Sequence, residues 1–584
     1  MKPVRLPASA THALPRWALL ALCLLYIVPG LIGRDPWKNE DAAGFGIMWT
    51  MAHGGISDWL WPNIAGLQRA QEGPLAFWIG GLTIKLFGWL LGDALAARVA
   101  TALFFVLGSI SVWNATYLLG RRNDAQPLRL AFGGQPEPAD YGRTLADGAL
   151  LIYLGCLGLL FHSHSTSANA LEVSLVSCSL YLAVRFLEAA SIRTAAELGA
   201  VLGLLALTRG WVVPLALYSG MFTLTAFRYK RNAWRLLLAG VPVTLLLIAS
   251  WVLLCDRVQP FNGSPFESWM LWNIQRINPP SWGALQYLLK DSMWFAWPAW
   301  PFAGWAVYAW RRQGWPLHII LPSTFVIAVA ALALLDPQSE QGILLPLLPP
   351  LAVLAAFGLP TMKRSAINAV DWFSVMTLTF VASALWLYWI AKQTGWPPTL
   401  AKSALRLVPG FKPELNVIAV FVAICASVFW IMLVHWRISR RPSVLWRAVV
   451  LSSGGGILCW VLLMTLWMPP INYSKSYALV AAQIAEKLPP VGKCVATNVG
   501  PAQRASFAYF GAIPFADVNE IQCDFLLLQD NRPKNGEIGT INRDGAPWQL
   551  IWQGRRPSDR DERFRLYRRG QDADSPASVS QKQN

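Results

Sequence analysis

What this chain lacks is charge. Asp, Glu, Lys and Arg together make up 14% of its 584 residues, too few to clothe the polar-surfaced domains into which a soluble protein of this length divides. Histidine is scarce too, at 6. No Cys-x-x-Cys or His-rich spacing occurs, which removes the usual zinc and dithiol-redox signatures. No internal repeat is visible, nor two similar halves with broken helices of the kind many secondary transporters carry. Acids are outnumbered by bases, 32 to 49, so the balance is basic, and the position of those bases decides what it means.

Apolar runs fill the space that charge leaves. The chain is 55% hydrophobic and holds 31 tryptophans. Runs near twenty residues recur, each long enough to cross a hydrocarbon core of about 30 Å as a helix. The pattern predicts a polytopic α-helical membrane protein with about thirteen spans, at 17–33, 95–119, 145–161, 167–187, 195–208, 210–227, 236–254, 293–310, 317–335, 343–360, 372–391, 416–435 and 448–468. The loop bases then fall on alternate sides. Arg121, Arg122, Arg129 and Arg143 share one connection, and Arg185 with Arg193 the next on that side. "FRYKRNAWR", Arg311–Arg312, Lys363–Arg364 and "HWRISRRPSVLWR" continue the series. The positive-inside rule makes that side, and the N-terminal tail with Lys2, Arg5 and Arg16, cytoplasmic. The basic surplus is therefore topology, and no nucleic-acid partner is implied. An odd number of crossings places the C-terminal segment outside, in the periplasm of a bacterial inner membrane. "WALLALCLLYIVPGLIG" is read as a retained first helix, because no small-residue cleavage site precedes the acids that follow.

Three outer segments are longer than turns: 33–85, 255–292 and 392–416. In "ILLPLLPPLAVL" the prolines 346, 349 and 350 predict a bent or unwound helix start. Residues 470–570 change character: "SYALVAAQIAEKL" has helical periodicity, while "CVATNV", "CDFLLLQ", "WQLIWQG" and "RFRLYRR" read as strands. They form a small α/β domain after a membrane domain spanning 1–469, and residues 571–584 form a disordered tail. Cys494 and Cys523 lie on two of the strands, in an oxidising compartment that favours a disulfide.

The most concentrated chemistry stands just after the first apolar run, in "GRDPWKNEDA". Glu40 and Asp41 come soon after the helix leaves the bilayer, and "AAGFGIMWTMAHGG" follows as an amphipathic stretch whose Phe45, Met48, Trp49 and Met51 would lie flat in the interface. Acids in such a cleft can gain basicity or hold a metal or proton. The bland reading is first-turn acids at a helix N-terminus, solvated. Glu72 in "GLQRAQEGPLAFWIGG" stands before another helix start, with Arg69 one turn earlier, either as a phosphate-and-hydroxyl site or as a surface turn. Arg209, in "ALTRGW", sits at a break between two spans, where an arginine lines a cavity or snorkels. "FHSHSTSAN" places His162 and His164 at an outer turn, more ordinary as polar turn residues than as metal ligands, with Asn169 and Glu172 following on the next helix.

"RDPWKNEDAAGFGIMWTMAHGG…DWLWPNIAGLQRAQEGPLAFWIGG", with "SEQGILLPLLPPLAVL" and "NYSKSYALVAAQIAEKL", resembles bacterial lipid-linked glycosyltransferases of the GT-C superfamily. It is most similar to lipid A aminoarabinose transferases and to bacterial relatives of protein O-mannosyltransferases. The resemblance implies transfer, with inversion, of a sugar from a polyprenyl-phosphate donor to a hydroxyl or phosphate on lipid A, a glycan, a lipid or a protein at the periplasmic face. It implies Glu40 as base, with Asp41 and Glu72 beside it in the catalytic set. Asp35, Asn169 and His164 would contact acceptor or sugar. A divalent ion between Glu40 and Asp41 is left open, because some members hold one and others work without. Two departures stand out: the family's Asp-Glu pair is reversed in Glu40-Asp41, and its Glu-Lys-Pro is Glu72-Gly73-Pro74. With that lysine absent, the donor phosphate falls to Arg69, Arg209 or Arg276. The competing readings are a lipid-sugar-binding scaffold without activity and a transporter or flippase.

Overall fold

The computed structural model describes residues 4–68, 72–129, 131, 133–258, 264–337, 340–439, 445–489, 494–516, 523–530, 540–543, 546–559 and 562–569. Each of the thirteen expected spans coincides with a helical stretch. Among the described residues, eight helices are long and apolar enough to cross a membrane: Asp93–Gly120, Ala168–Glu188, Lys230–Val258, Leu317–Leu335, Gln341–Thr361, Ser365–Thr394, Val417–Arg437 and Val449–Leu466. Shorter apolar helices run over Arg16–Ile27, Leu75–Leu91 and Val212–Arg228. The first helix stops at Ile27, short of the expected 33. There Pro29 and Gly30 turn the chain, with Gly30 at φ +97° and pressed against Trp460.

Small residues set the helix crossings, as they do where lipid supplies no hydrophobic drive between helices. A methyl on Gly199 would lie 2.2 Å from the Gly240 carbonyl oxygen, so the Ile192–Thr208 helix meets its neighbour backbone to backbone. The prolines act as expected. Gln341–Leu347 winds as a 3₁₀ helix, and regular α-helix begins only at Leu348.

The Glu40–His53 helix corrects one expectation. Phe45, Met48 and Met51 are at most 1% exposed, so the helix does not lie open in the interface but is sandwiched inside the protein. Two glycines allow this. Gly44 rides against the Thr166 carbonyl, where a Cβ would come to 2.2 Å, and Gly46 against Ala505, at 2.3 Å. Met48 fills the space over Gly80 on the Leu75–Leu91 helix, and Phe45 meets Tyr509 edge to face at 4.8 Å.

The C-terminal unit is a mixed five-stranded sheet in the order 495–497, 525–530, 563–569, 546–554, 540–543. Its first pair is parallel and the others antiparallel. Helices Ala478–Lys487 and Pro501–Gly511 accompany it, around a core of its own that includes Tyr477, Phe507, Leu527 and Phe564. Cys494 and Cys523 are joined by a disulfide. The unit grips the first outer segment: Asn472 donates to the Gly33 carbonyl at 2.7 Å and accepts from Trp37 Nε1 at 2.8 Å. Arg504 donates to the Ala65 carbonyl.

Candidate active site

Glu40 and Asp41 are neighbours on one helix turn but face different surroundings. Asp41 is 1% exposed. Its Oδ2 accepts from Arg34 Nη2 and the Trp37 N–H, each at 3.0 Å. Its Oδ1 accepts from the Thr166 N–H at 2.8 Å and the Thr166 hydroxyl at 3.0 Å. A second guanidinium, Arg98, lies 3.6 Å from Oδ2 and donates to the Arg34 and Asp35 carbonyls at 2.6 and 2.9 Å. Burial alone would raise the Asp41 pKa. Arg34, Arg98 and the two N–H donors outweigh it and hold the carboxyl below its ordinary value. Both oxygens are spent, so Asp41 ties the first outer segment to the 163–167 turn and has nothing left to offer a metal ion beside Glu40. Among the described residues no three His, Cys, Asp or Glu side chains stand together as a metal site.

Glu40 points the other way, half-buried, and accepts from Asn169 Nδ2 at 2.6 Å. Asn169 Oδ1 in turn accepts from Arg209 Nη1. Arg209 is 6% exposed, with Glu172 at 3.5 Å and Glu340 at 3.4 Å. Burial opposes the charge on Arg209, but Glu172, Glu40, Glu72 and Glu340 together raise its pKa above the ordinary value. Four carboxylates thus converge on one guanidinium. Gly342 makes the approach feasible, since a Cβ there would come within 2.6 Å of Arg209 Nη1.

Glu72 is buried, 8% exposed, within electrostatic reach of Arg209. At Gly73 beside it, where the resemblance leads one to expect a lysine, there is no room for a side chain. A Cβ on Gly73 would stand 2.0 Å from the Leu207 carbonyl oxygen, in the turn that leads to Arg209. No side chain fits there unless the Leu207–Arg209 backbone moves.

The other expected site residues are placed elsewhere or outside view. Arg69 lies outside the described residues. Arg276 is held by Asp336 through Nε at 3.0 Å and Nη2 at 2.7 Å, and its charge reaches the buried Glu172 beside Arg209. Asp35 is turned toward Ser476 and the C-terminal unit, and burial raises its pKa above the ordinary carboxylate value. His164 is wholly enclosed. Its Nδ1 faces the Leu160 carbonyl at 2.6 Å and Nε2 the Tyr26 carbonyl at 2.9 Å, against Trp460. It packs two helix ends together and presents nothing to the cleft. Sequence reasoning passed over Arg34, Arg98 and Glu340. Arg98 carried a signal: a charge in the first turns of an apolar span needs a partner.

Two helices that lie next to Arg209 and Glu340 in the chain enclose a groove. The Val212–Arg228 helix starts three residues after Arg209, and Leu317–Leu335 ends five before Glu340. Between them runs a cavity of about 720 Å³ over Ala216, Gly220, Thr223, Thr324, Ala328 and Ala331.

Comparison with known proteins gives the same outline. The sequence model of the Alg9-like mannosyltransferase family matches residues 74–408. Two crystal structures of ArnT from Cupriavidus metallidurans superpose on most of the chain at 18% identity. The one bound to undecaprenyl phosphate gives a TM-score of 0.63 and covers 85% of both chains. The apo one gives 0.59, covering 85% of this chain and 84% of that one. At that identity the likeness shows the fold alone. A search of curated proteins gave no match.

Proposed function

The chain belongs to the Alg9-like mannosyltransferase family and is a multi-pass membrane glycosyltransferase of the GT-C superfamily, and from that premise we propose that it moves a sugar from a polyprenyl-phosphate donor to an acceptor at the periplasmic face of a bacterial inner membrane. The observation that carries the reading is the relay Glu40–Asn169–Arg209, a half-open carboxylate linked through one amide to a buried cation. It supports a base and a phosphate-binding group acting from opposite ends of one side chain. The N-terminus is cytoplasmic, the C-terminal unit periplasmic, and the acceptor a hydroxyl-bearing lipid, glycan or protein.

In this reading Glu40 takes the proton from the acceptor hydroxyl as its oxygen bonds to the anomeric carbon. The bond from that carbon to the phosphate oxygen breaks, and polyprenyl phosphate leaves with the electron pair. Asn169 fixes the carboxylate. A single displacement with base and leaving group on opposite faces inverts the anomeric configuration, as when inverting glycosidases activate water. Arg209 receives the departing phosphate. Glu340, 3.4 Å from Arg209 Nη2, is the carboxylate that a phosphate oxygen would displace. Its partial exposure, 45% at the side chain, leaves it free to swing aside. The groove over Ala216 and Gly220 suits the prenyl tail, and the ArnT structure bound to undecaprenyl phosphate supports a polyprenyl-phosphate ligand for this fold.

The test is release of undecaprenyl phosphate from an undecaprenyl-phosphate sugar by purified protein given acceptor-containing membrane extract. Glu40→Gln abolishes it. A transporter would move the lipid-linked sugar across vesicles with the bond intact, and a scaffold would bind it without turnover; either outcome overturns the reading.

A further inference from the structure

In the proposed topology positive charge belongs on the cytoplasmic side, and one outer segment breaks that pattern. Residues 392–416 carry Lys392, Lys402, Arg406 and Lys412 against the single acid Glu414, whereas 33–85 and 255–292 hold at least as many acids as bases. Bases kept there against the rule need an anion to face.

The shape of the segment says which anion. It begins at the end of the Ser365–Thr394 helix and contains the helix Pro398–Leu407. That helix lays Ala401 and Ala404 inward and turns Lys402, Leu405, Arg406 and Leu407 outward. Lys402 and Arg406 stand one turn apart on one face. Trp396, 71% exposed, and Leu415, 66% exposed, add apolar surface around these cations. Cations mixed with large exposed apolar side chains fit the headgroup layer of a bilayer better than water or an acidic protein.

Lys392 supplies the specific contact. It is 7% exposed, and its ammonium lies 4.6 Å from the Phe411 ring and 5.2 Å from the Trp467 ring. Both rings are fixed. Trp467 Nε1 donates to the Leu385 carbonyl at 3.2 Å. Phe411 meets Tyr473 edge to face, and the Tyr473 hydroxyl donates to the Pro409 carbonyl at 3.2 Å. Among the described residues no carboxylate and no hydrogen-bond acceptor meets Lys392 Nζ, yet Nζ remains open to a ligand. Two aromatic faces attract the cation without neutralising it, so a charge nearly withdrawn from water lacks a counter-ion. A phosphodiester flanked by glycerol and acyl chains satisfies the ammonium and the apolar side chains around it together. The position shares no helix with the Glu40–Asn169–Arg209 relay or with the groove over Ala216 and Gly220, which separates it from the donor.

We infer that residues 392–416 and Trp467 form a site for an anionic diacyl phospholipid, with Lys392 on its phosphate and Lys402 and Arg406 along the headgroup layer beside it. The site is independent of glycosyl transfer, and its test needs no turnover. Full-length protein in phosphatidylcholine nanodiscs receives trace phosphatidylglycerol or phosphatidylcholine carrying a diazirine at the top of one acyl chain. After irradiation, labelled peptides are mapped by mass spectrometry. In wild type, residues 392–416 and the peptide holding Trp467 take at least fivefold more label from the glycerol lipid than from the choline lipid. Lys392→Met reduces that ratio at least threefold, and Lys392→Arg keeps it within twofold. The double variant Lys402→Gln/Arg406→Gln, confined to the exposed face, lowers it about twofold. Undecaprenyl phosphate binds every form within twofold of wild type. Equal labelling by the two lipids in wild type, or a ratio unchanged in Lys392→Met, overturns the inference. So does a Lys392→Met protein that loses undecaprenyl phosphate along with the glycerol lipid, since the lysine would then belong to the donor site.

Discussion

Exchanging Asp41 for Asn and Glu40 for Gln, one at a time, separates the two halves of the acidic pair. All four hydrogen bonds to Asp41 come from donors: Arg34 and Trp37 on one oxygen, Thr166 N–H and hydroxyl on the other. An amide placed there turns its NH₂ against Arg34 and the Trp37 N–H in one orientation and against the Thr166 N–H in the other, where the Thr166 hydroxyl can accept while donating to the Asp41 carbonyl. It also leaves Arg34, 3% exposed, without the carboxylate it is bonded to, and Arg98, 1% exposed, with Asp35 in place of two acids. Removing one partner of a buried ion pair costs about 3–5 kcal/mol. Asp41→Asn should therefore lower the apparent unfolding midpoint in nanodiscs by several degrees, with activity lost through structure. The pH dependence has the matching sign. Because the folded pKa lies below the ordinary 3.8, the stabilisation is complete above that value and falls away only as pH drops through the folded pKa. Glu40 is half-exposed with one amide partner, so Glu40→Gln should melt with wild type. It should lose 10²- to 10⁴-fold in transfer rate, roughly the share of general-base catalysis, or about 3–5 kcal/mol of barrier. The assay pairs intrinsic-fluorescence melting with undecaprenyl phosphate release. An Asp41→Asn protein as stable as wild type, or a Glu40→Gln protein retaining a tenth of the activity, refutes the assignment.

Three further outcomes follow from the same geometry. Glu340→Gln removes the carboxylate that competes for Arg209 and should tighten undecaprenyl phosphate binding severalfold, measured by ligand-induced thermal shift; Arg209→Met should weaken it at least tenfold. Gly73→Lys introduces the lysine that the resemblance to aminoarabinose transferases leads one to expect, but drives a Cβ into the Leu207 carbonyl at 2.0 Å. It should reduce yield and activity together, with no gain in donor affinity by titration. Cys494→Ser opens a loop with a sequence separation of 29, worth about 3–4 kcal/mol of chain entropy, and limited proteolysis should then cleave residues 494–523 first, with the membrane helices still intact.

Much of this protein is set by its sequence directly. Membrane helices must satisfy every backbone group within themselves, so the apolar runs alone located the helical stretches, and Pro346, Pro349 and Pro350 foretold the 3₁₀ start at Gln341. Four of the five C-terminal strands were read from short runs of strand-type residues, continuous in "CDFLLLQ"; Thr540–Arg543 is too short to show such a run. Glu40, Glu72 and Arg209 stood out as candidates because charge in so apolar a chain is conspicuous, and Asn169 because it follows the outer turn at His162 and His164. What could not be read was which groups face each other. Asp41 and Glu40 are chemically alike and adjacent, yet one is locked by Arg34 and Arg98 while the other opens toward Asn169. That division depends on Gly44 and Thr166 meeting across 122 residues of sequence. The same holds for Phe45 and Met48, whose pattern fits an interfacial helix until the Pro501–Gly511 helix covers it. Periodicity reports the angle of a side chain about its own helix; only the packed structure supplies the neighbour at that angle, and with it the local dielectric and the partner that decide whether a carboxylate is a strut or a base.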